Sequence, residues 1–170
     1  MARLAIALML AVALLLGGGM WYLQTRAFYF ETEVEDVQLT AAETGELTPV
    51  RFENAKAIDA TSSPIRYRAC LVLPGLDPEA FAPYPEAEPL TGPGWFDCYN
   101  AEAIGDALEA GEAVAVLGQA NVTYGIDRVY ALFPDGRAYA WHQINPCGAA
   151  VYDGEDAPEG CPPAPEEYEE

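Results

Sequence analysis

Few side chains in this 170-residue chain could do covalent or proton chemistry. It has one histidine, His142, and four cysteines, Cys70, Cys98, Cys147 and Cys161. Nucleophilic catalysis needs a base beside a nucleophile, so any histidine-based triad must use His142. The cysteine nearest to it in sequence is Cys147, and that spacing is not a familiar metal-ligand pattern. No G-x-S-x-G elbow occurs, and no C-x-x-C that would suggest a redox motif or a zinc ribbon. Asp153-Gly154-Glu155-Asp156 lacks the ligand positions of an EF-hand loop, so the acidic C-terminal stretch supports weak calcium binding at most. Gly92-Pro93-Gly94 lacks the Lys-Ser/Thr of a phosphate-binding loop. The sequence therefore reads as non-enzymatic and points to no cofactor.

Binding chemistry is better represented. Arg66, Arg68 and Arg128 fall on predicted strand faces that do not carry the core pattern. His142 lies opposite Arg128 across a predicted hairpin, with Tyr130 on the same face. A basic patch on an acidic domain can receive a carboxylate or an acidic partner segment. The competing reading is that these arginines neutralise local carboxylates such as Glu53 or those of the C-terminal stretch. On the binding reading, replacing His142 should leave folding nearly intact. Trp95 and Phe96, in Gly94-Trp95-Phe96-Asp97-Cys98, read as a core anchor beside a disulfide rather than as a binding surface. Asn121-Val122-Thr123 is a glycosylation sequon, relevant only in a pathway that modifies such sites.

The elements that must position these residues are clearest around Pro134-Asp135-Gly136. That tripeptide suits a three-residue turn with Gly in the left-handed position. The turn pairs Phe133 with Arg137, Ala131 with Tyr139, Val129 with Trp141 and Arg128 with His142. One face then carries Val129, Ala131, Phe133, Tyr139 and Trp141 as a core face. The two-residue alternative would mix the faces. Upstream, residues 65–73 alternate, with Ile65, Tyr67, Ala69, Leu71 and Leu73 on one side. Residues 48–58 are a further strand candidate. Residues 74–93 hold six prolines and read as a long irregular loop bracketed by Cys70 and Cys98. A helix follows, capped by Asn100, with Ile104 and Leu108 on one face and Gly111 at its end. Ala113 to Leu117 reads as a buried strand. The expected fold is α+β: a mainly antiparallel sheet with one helix, after an N-terminal transmembrane helix.

Leu4 to Leu23 is an uncharged run long enough, at about 30 Å, to cross a bilayer as a helix. Trp21 and Tyr22 stand at its far end, where amphipathic rings prefer the interface. The competing reading is a signal peptide cut near Gly17 or Gly19. The uncleaved anchor is preferred because Met20-Trp21-Tyr22-Leu23 prolongs the apolar run. Arg3 and the α-amino group, against Arg26, point thinly to a cytoplasmic N-terminus. The expected organisation is an anchor over residues 1–26, a membrane-proximal strand or stalk over 27–47, a periplasmic domain over 48–152, and an acidic Pro-rich tail over 153–170 tied by Cys161.

No acidic residue precedes Glu31, whereas Arg3 and Arg26 do. The chain after residue 30 thus carries all 27 acidic residues, six of the eight basic ones and a net charge of −21. Such a domain repels nucleic acid. Its expected partners are the membrane, through the anchor, and another membrane or periplasmic protein. An even cysteine count after an export segment reads as two disulfides. Three pairings are possible. The sequential one, Cys70–Cys98 and Cys147–Cys161, is expected; its loops of about 28 and 14 residues would each stabilise by roughly 3–4 kcal/mol in the chain-entropy model.

Four segments, SPIRYRAC, GPGWFDCYNAEAIGDALEAGEA, NVTYGIDRVYALFPDGRAYAWHQINPCG and EGCPP, together resemble an uncharacterised family of short, singly anchored alphaproteobacterial proteins. They span most of the domain and include all four cysteines. The resemblance implies a bacterial inner-membrane location with a periplasmic domain and implies no activity. A histidine-kinase label carried by some relatives gains no support here. His142 is not in a phosphoacceptor helix motif, and no ATP-binding Asn or Gly-rich boxes occur.

Overall fold

The alternating and capped segments found in the sequence assemble around one antiparallel sheet. The computed structural model describes residues 2–166. The apolar N-terminal run is helix α1, Ala2–Tyr22, followed by a π-helical turn over Leu23–Ala27. This helix buries none of its residues in the protein and is long and apolar enough to cross a membrane.

Eight strands follow: β1 (Phe30–Thr32), β2 (Gln38–Thr40), β3 (Leu47–Pro49), β4 (Glu53–Asp59), β5 (Arg68–Val72), β6 (Val114–Thr123), β7 (Ile126–Leu132) and β8 (Arg137–Ile144). Helix α2 (Ala101–Glu109) precedes β6, and helix α3 (Pro146–Tyr152) follows β8. Six strands form the main sheet in the order β1-β4-β5-β8-β7-β6, every neighbour antiparallel. β2 and β3 make a separate two-stranded ribbon. The expected α+β architecture is thus the observed one.

The β7–β8 hairpin has the register expected from its turn. Arg128 pairs with His142, Val129 with Trp141 and Ala131 with Tyr139. Gly136 sits at φ 87°, and its N–H donates to Phe133 O at 2.9 Å. Helix α2 starts where Asn100 Oδ1 accepts from Ala103 N and stops at Gly111, whose φ is 70°. Both expected disulfides are formed, Cys70–Cys98 and Cys147–Cys161.

Four features differ from the sequence reading, and the first explains most of the second. Residues 27–47, read as a strand or stalk, supply β1 and β2, and Val37 and Leu39 are fully buried. The packed domain therefore begins before residue 48. Because this segment folds back over the sheet, both sheet faces are core. One face buries Val129, Ala131, Trp141 and Ile58 under Phe96, Tyr99 and Ile104. The other buries Tyr130, Leu132, Ala138, Ala140 and Tyr67 under Val37, Leu39 and Phe81. Third, of the segment read as a buried strand, Ala113 lies just before β6 and residues 114–117 begin that ten-residue edge strand, where Val116 is buried while Val114 is 46% exposed. Fourth, α3 is a helix the periodicity does not reveal. Its signal is local: Asn145 caps Gly148 N at 3.0 Å and Pro146 stands at the first helical position.

The acidic C-terminal stretch, read as a tail, is tied by the Cys147–Cys161 bond and by Tyr124 Oη donating to Pro162 O at 3.2 Å. Its last four positions, 167–170, and Met1 lie outside the described residues.

Candidate functional site

The hairpin register sets Arg128 beside His142, and Tyr67, the residue just before β5, lies against both. Arg128 Nε donates to His142 Nε2 at 3.1 Å. That bond requires Nε2 to be unprotonated, so the ring proton is on Nδ1, which donates to Pro64 O at 2.7 Å. The imidazole stacks on Tyr67 with centroids 4.7 Å apart. The Arg128 guanidinium lies over the same tyrosine ring, 4.4 Å from its centroid. The site is therefore a layered set of one cation, one neutral imidazole and one phenol ring.

The electrostatics follow from burial. Burial pushes His142 down from 6.5 to about 4, helped by the Arg128 and Arg68 charges and opposed by the bond to Pro64. Burial also raises Tyr67 and Tyr130, with Arg128 opposing both. Both imidazole nitrogens are engaged, and the four cysteines are bonded. Among the described residues no group of three or more His, Cys, Asp or Glu is placed to hold a metal ion. What the arrangement can do chemically is hold a guanidinium at a fixed place with no carboxylate paired to it among the described residues.

The five residues singled out in the sequence do not form one patch. Arg128, Tyr130 and His142 come together, but within the core on the Tyr67 face, with His142 and Tyr130 buried. Their strand face was read as free of core because the cover comes from residues 37–39 and Phe81, remote in sequence. His142 is thus packed in the core with both ring nitrogens engaged, so its replacement is expected to cost stability rather than leave folding nearly intact. Arg68 points to the opposite face, directly across from Trp141. It is buried, and it donates to four carbonyls: Leu90 (2.7 Å), Ile65 (2.8 Å), Tyr67 (2.6 Å) and Thr91 (3.2 Å). It clamps the Pro-rich loop to β5. Arg66 lies in a short 3-10 turn, Pro64–Arg66, and reaches neither group. Its guanidinium covers Phe28 at 5.7 Å and Tyr29 at 5.5 Å. Phe96 is buried in the core as expected, whereas the Trp95 indole donates to Thr25 O at 2.6 Å.

A second polar cluster escaped the sequence reading. β6 shifts register between Gln119 and Thr123, with Asn121 at φ 51°. A bulge frees main-chain groups from the ladder. Here the buried Asp127 takes up Asn121 N–H at 2.9 Å. Its carboxylate also accepts from Asn145 Nδ2 at 2.7 Å and Tyr84 Oη at 3.2 Å. Tyr84, Asp127, Gln143 and Asn145 line a groove of about 400 Å³. The sequon at Asn121 was the only mark of this region, and it says nothing of Tyr84 or Asn145. The Asn121 side chain itself accepts from Gly125 N at 2.8 Å.

Fold and site define a class: an apolar helix leading into an antiparallel α+β domain cross-linked by two disulfides, with one arginine, Arg68, buried in its core and a second, Arg128, half-buried. Within that class the chain belongs to a family of unknown function, DUF6446, whose family model matches residues 37–162. The match begins at Val37, the first buried residue of the domain, and ends just past Cys161. No curated protein and no solved structure matches the chain.

Proposed function

We propose that this protein is a membrane-anchored periplasmic interaction or assembly module without catalytic activity. The observation that carries this reading is His142. The only imidazole of the chain is neutral, with one nitrogen tied to Pro64 O and the other to Arg128. The side chains best suited to proton or nucleophile chemistry serve as structural ties. An apolar helix followed by a disulfide-bonded domain fits an oxidising compartment. In this reading α1 spans a bacterial inner membrane with its N-terminus cytoplasmic. The partner is another membrane or periplasmic protein. The −21 charge of the chain after residue 30 argues against nucleic acid. Gentle cross-linking in intact membranes, then purification of the full chain, should yield one reproducible stoichiometric partner. A chain that emerges alone from every such preparation would overturn the proposal.

One observation favours a second reading, a small-ligand binder or sensor input. Arg128 is only partly buried, and among the described residues no carboxylate pairs with it. A small carboxylate that raises the melting temperature of the wild type but not of Arg128→Ala would select this reading over the first.

A further inference from the structure

The exposed large apolar side chains are unevenly placed. Past α1 and its π turn they are Phe28 and Phe30, close in sequence to Trp21, Tyr22 and Leu23, and then, among the described residues, four scattered positions: Leu47, Val114, Ile144 and Tyr152. Around the exit of the helix other groups gather. Trp95 meets Tyr29 edge-on at 6.3 Å, and Arg26 lies 5.5 Å from the Trp95 centroid. Arg66 covers Phe28 and Tyr29. Neither Arg26 nor Arg66 has a carboxylate partner among the described residues. Thr25 O is one of the last carbonyls of a helix, a group left without an intrahelical partner, and Trp95 supplies its donor from 70 residues away.

We infer that Phe28, Phe30 and Trp95, with Arg26 and Arg66, form a seat on which the domain rests against the lipid headgroups around its own anchor. The inference rests on α1 remaining a membrane anchor. The Trp95 ring joins an apolar body to a polar tip and so favours the boundary between hydrocarbon and water, and the exposed Phe28 and Phe30 rings beside it add apolar area. Arginines beside them can lay their stems on the apolar layer and reach lipid phosphate with the guanidinium. The rest of the domain is strongly acidic and gains nothing from such a surface, so this one cationic, aromatic side determines which way the domain leans. The Trp95–Thr25 bond and the cation-ring contacts make the seat continuous with the helix exit.

The chain supplies its own probes: Trp21 in the anchor, Trp95 in the seat and the fully buried Trp141 as an internal standard. Full-length Trp21→Phe protein is reconstituted in phosphatidylcholine vesicles carrying bromine at a shallow or a deep acyl position. The shallow label should quench Trp95 emission more than the deep one, and Trp141 should be untouched. Adding Trp95→Phe should remove the quenching, and adding Arg26→Ala with Arg66→Ala should weaken it. The depth comparison within Trp21→Phe alone decides the outcome even if a further substitution loosens the fold. An intact, vesicle-bound chain whose Trp95 is unquenched would overturn the seat and leave the anchor standing. A chain that no longer binds vesicles and begins near Met20 would overturn the anchor and the seat with it.

Discussion

Arg68 and Arg128 sit on neighbouring parts of one sheet and are held in opposite ways. Neither has a carboxylate partner among the described residues. Arg68 is held chiefly by main-chain carbonyls of the Pro-rich loop and of its own strand end, with the Tyr99 ring centroid 5.8 Å from its guanidinium. Arg128 is surrounded by side chains: a neutral imidazole, a tyrosine ring and the neighbouring Tyr130. Carbonyl oxygens have partial negative charge and cannot move away without unmaking the loop. The rings and imidazole around Arg128 take a single hydrogen bond from it, at His142 Nε2, and leave it half-buried. A cation held in a sheet can be a fastener, as Arg68 is, or a half-exposed contact, as Arg128 is, and its shell decides which.

The upper bound for the Arg68 face is Trp141, fully buried across from it. Trp141→Ala should cost about 4 kcal/mol and bring the urea midpoint close to zero for a marginal domain. Arg68→Met should follow at about 3 kcal/mol, because it takes the donor from four main-chain carbonyls around a buried side chain. An Arg68→Met domain as stable as wild type would break the fastener reading. His142→Ala should cost about 2 kcal/mol through lost packing and an unpaired Pro64 carbonyl. Arg128→Met should cost least, about 1 kcal/mol, since it takes the donor from one acceptor, His142 Nε2, where Arg68→Met takes it from four carbonyls. Equal losses for the two arginines in matched denaturant titrations would erase the comparison.

A pH series sharpens it further. His142 is held neutral, with its folded value lowered from 6.5 to about 4. Between these values the unfolded chain binds a proton that the folded chain does not. His142 therefore lends its full stability above pH 6.5, and that stability is lost as pH falls toward about 4. Wild type should weaken across this window, and His142→Asn, which retains a donor toward Pro64, should lose the part of the slope that begins near pH 6.5. Identical slopes for the two proteins would show that the imidazole is not held neutral by its surroundings.

What could be read from the sequence was whatever neighbours in the chain decide. The Pro134-Asp135-Gly136 turn set the hairpin register and with it the Arg128–His142 pair. Asn100 and Gly111 marked both ends of α2. Whether a strand face meets water depends instead on segments far away. Nothing in residues 126–144 announces that Val37, Leu39 and Phe81 will cover Tyr130. Arg68 and Arg128 both alternate away from a recognisable apolar face, so periodicity placed them together, while the sheet separates them. The Asp127 cluster draws on Tyr84, Asn121 and Asn145 from three separate stretches and was invisible for the same reason.

The two disulfides join each cysteine to the one that follows it in the chain, 28 and 14 residues on. A polypeptide delivered to an oxidant from its N-terminus presents Cys98 when only Cys70 is waiting, and Cys161 when only Cys147 remains. Joining each arriving thiol to its waiting predecessor gives the native connectivity at once. The order of arrival alone then solves the pairing problem, and no shuffling of wrong bonds has to follow.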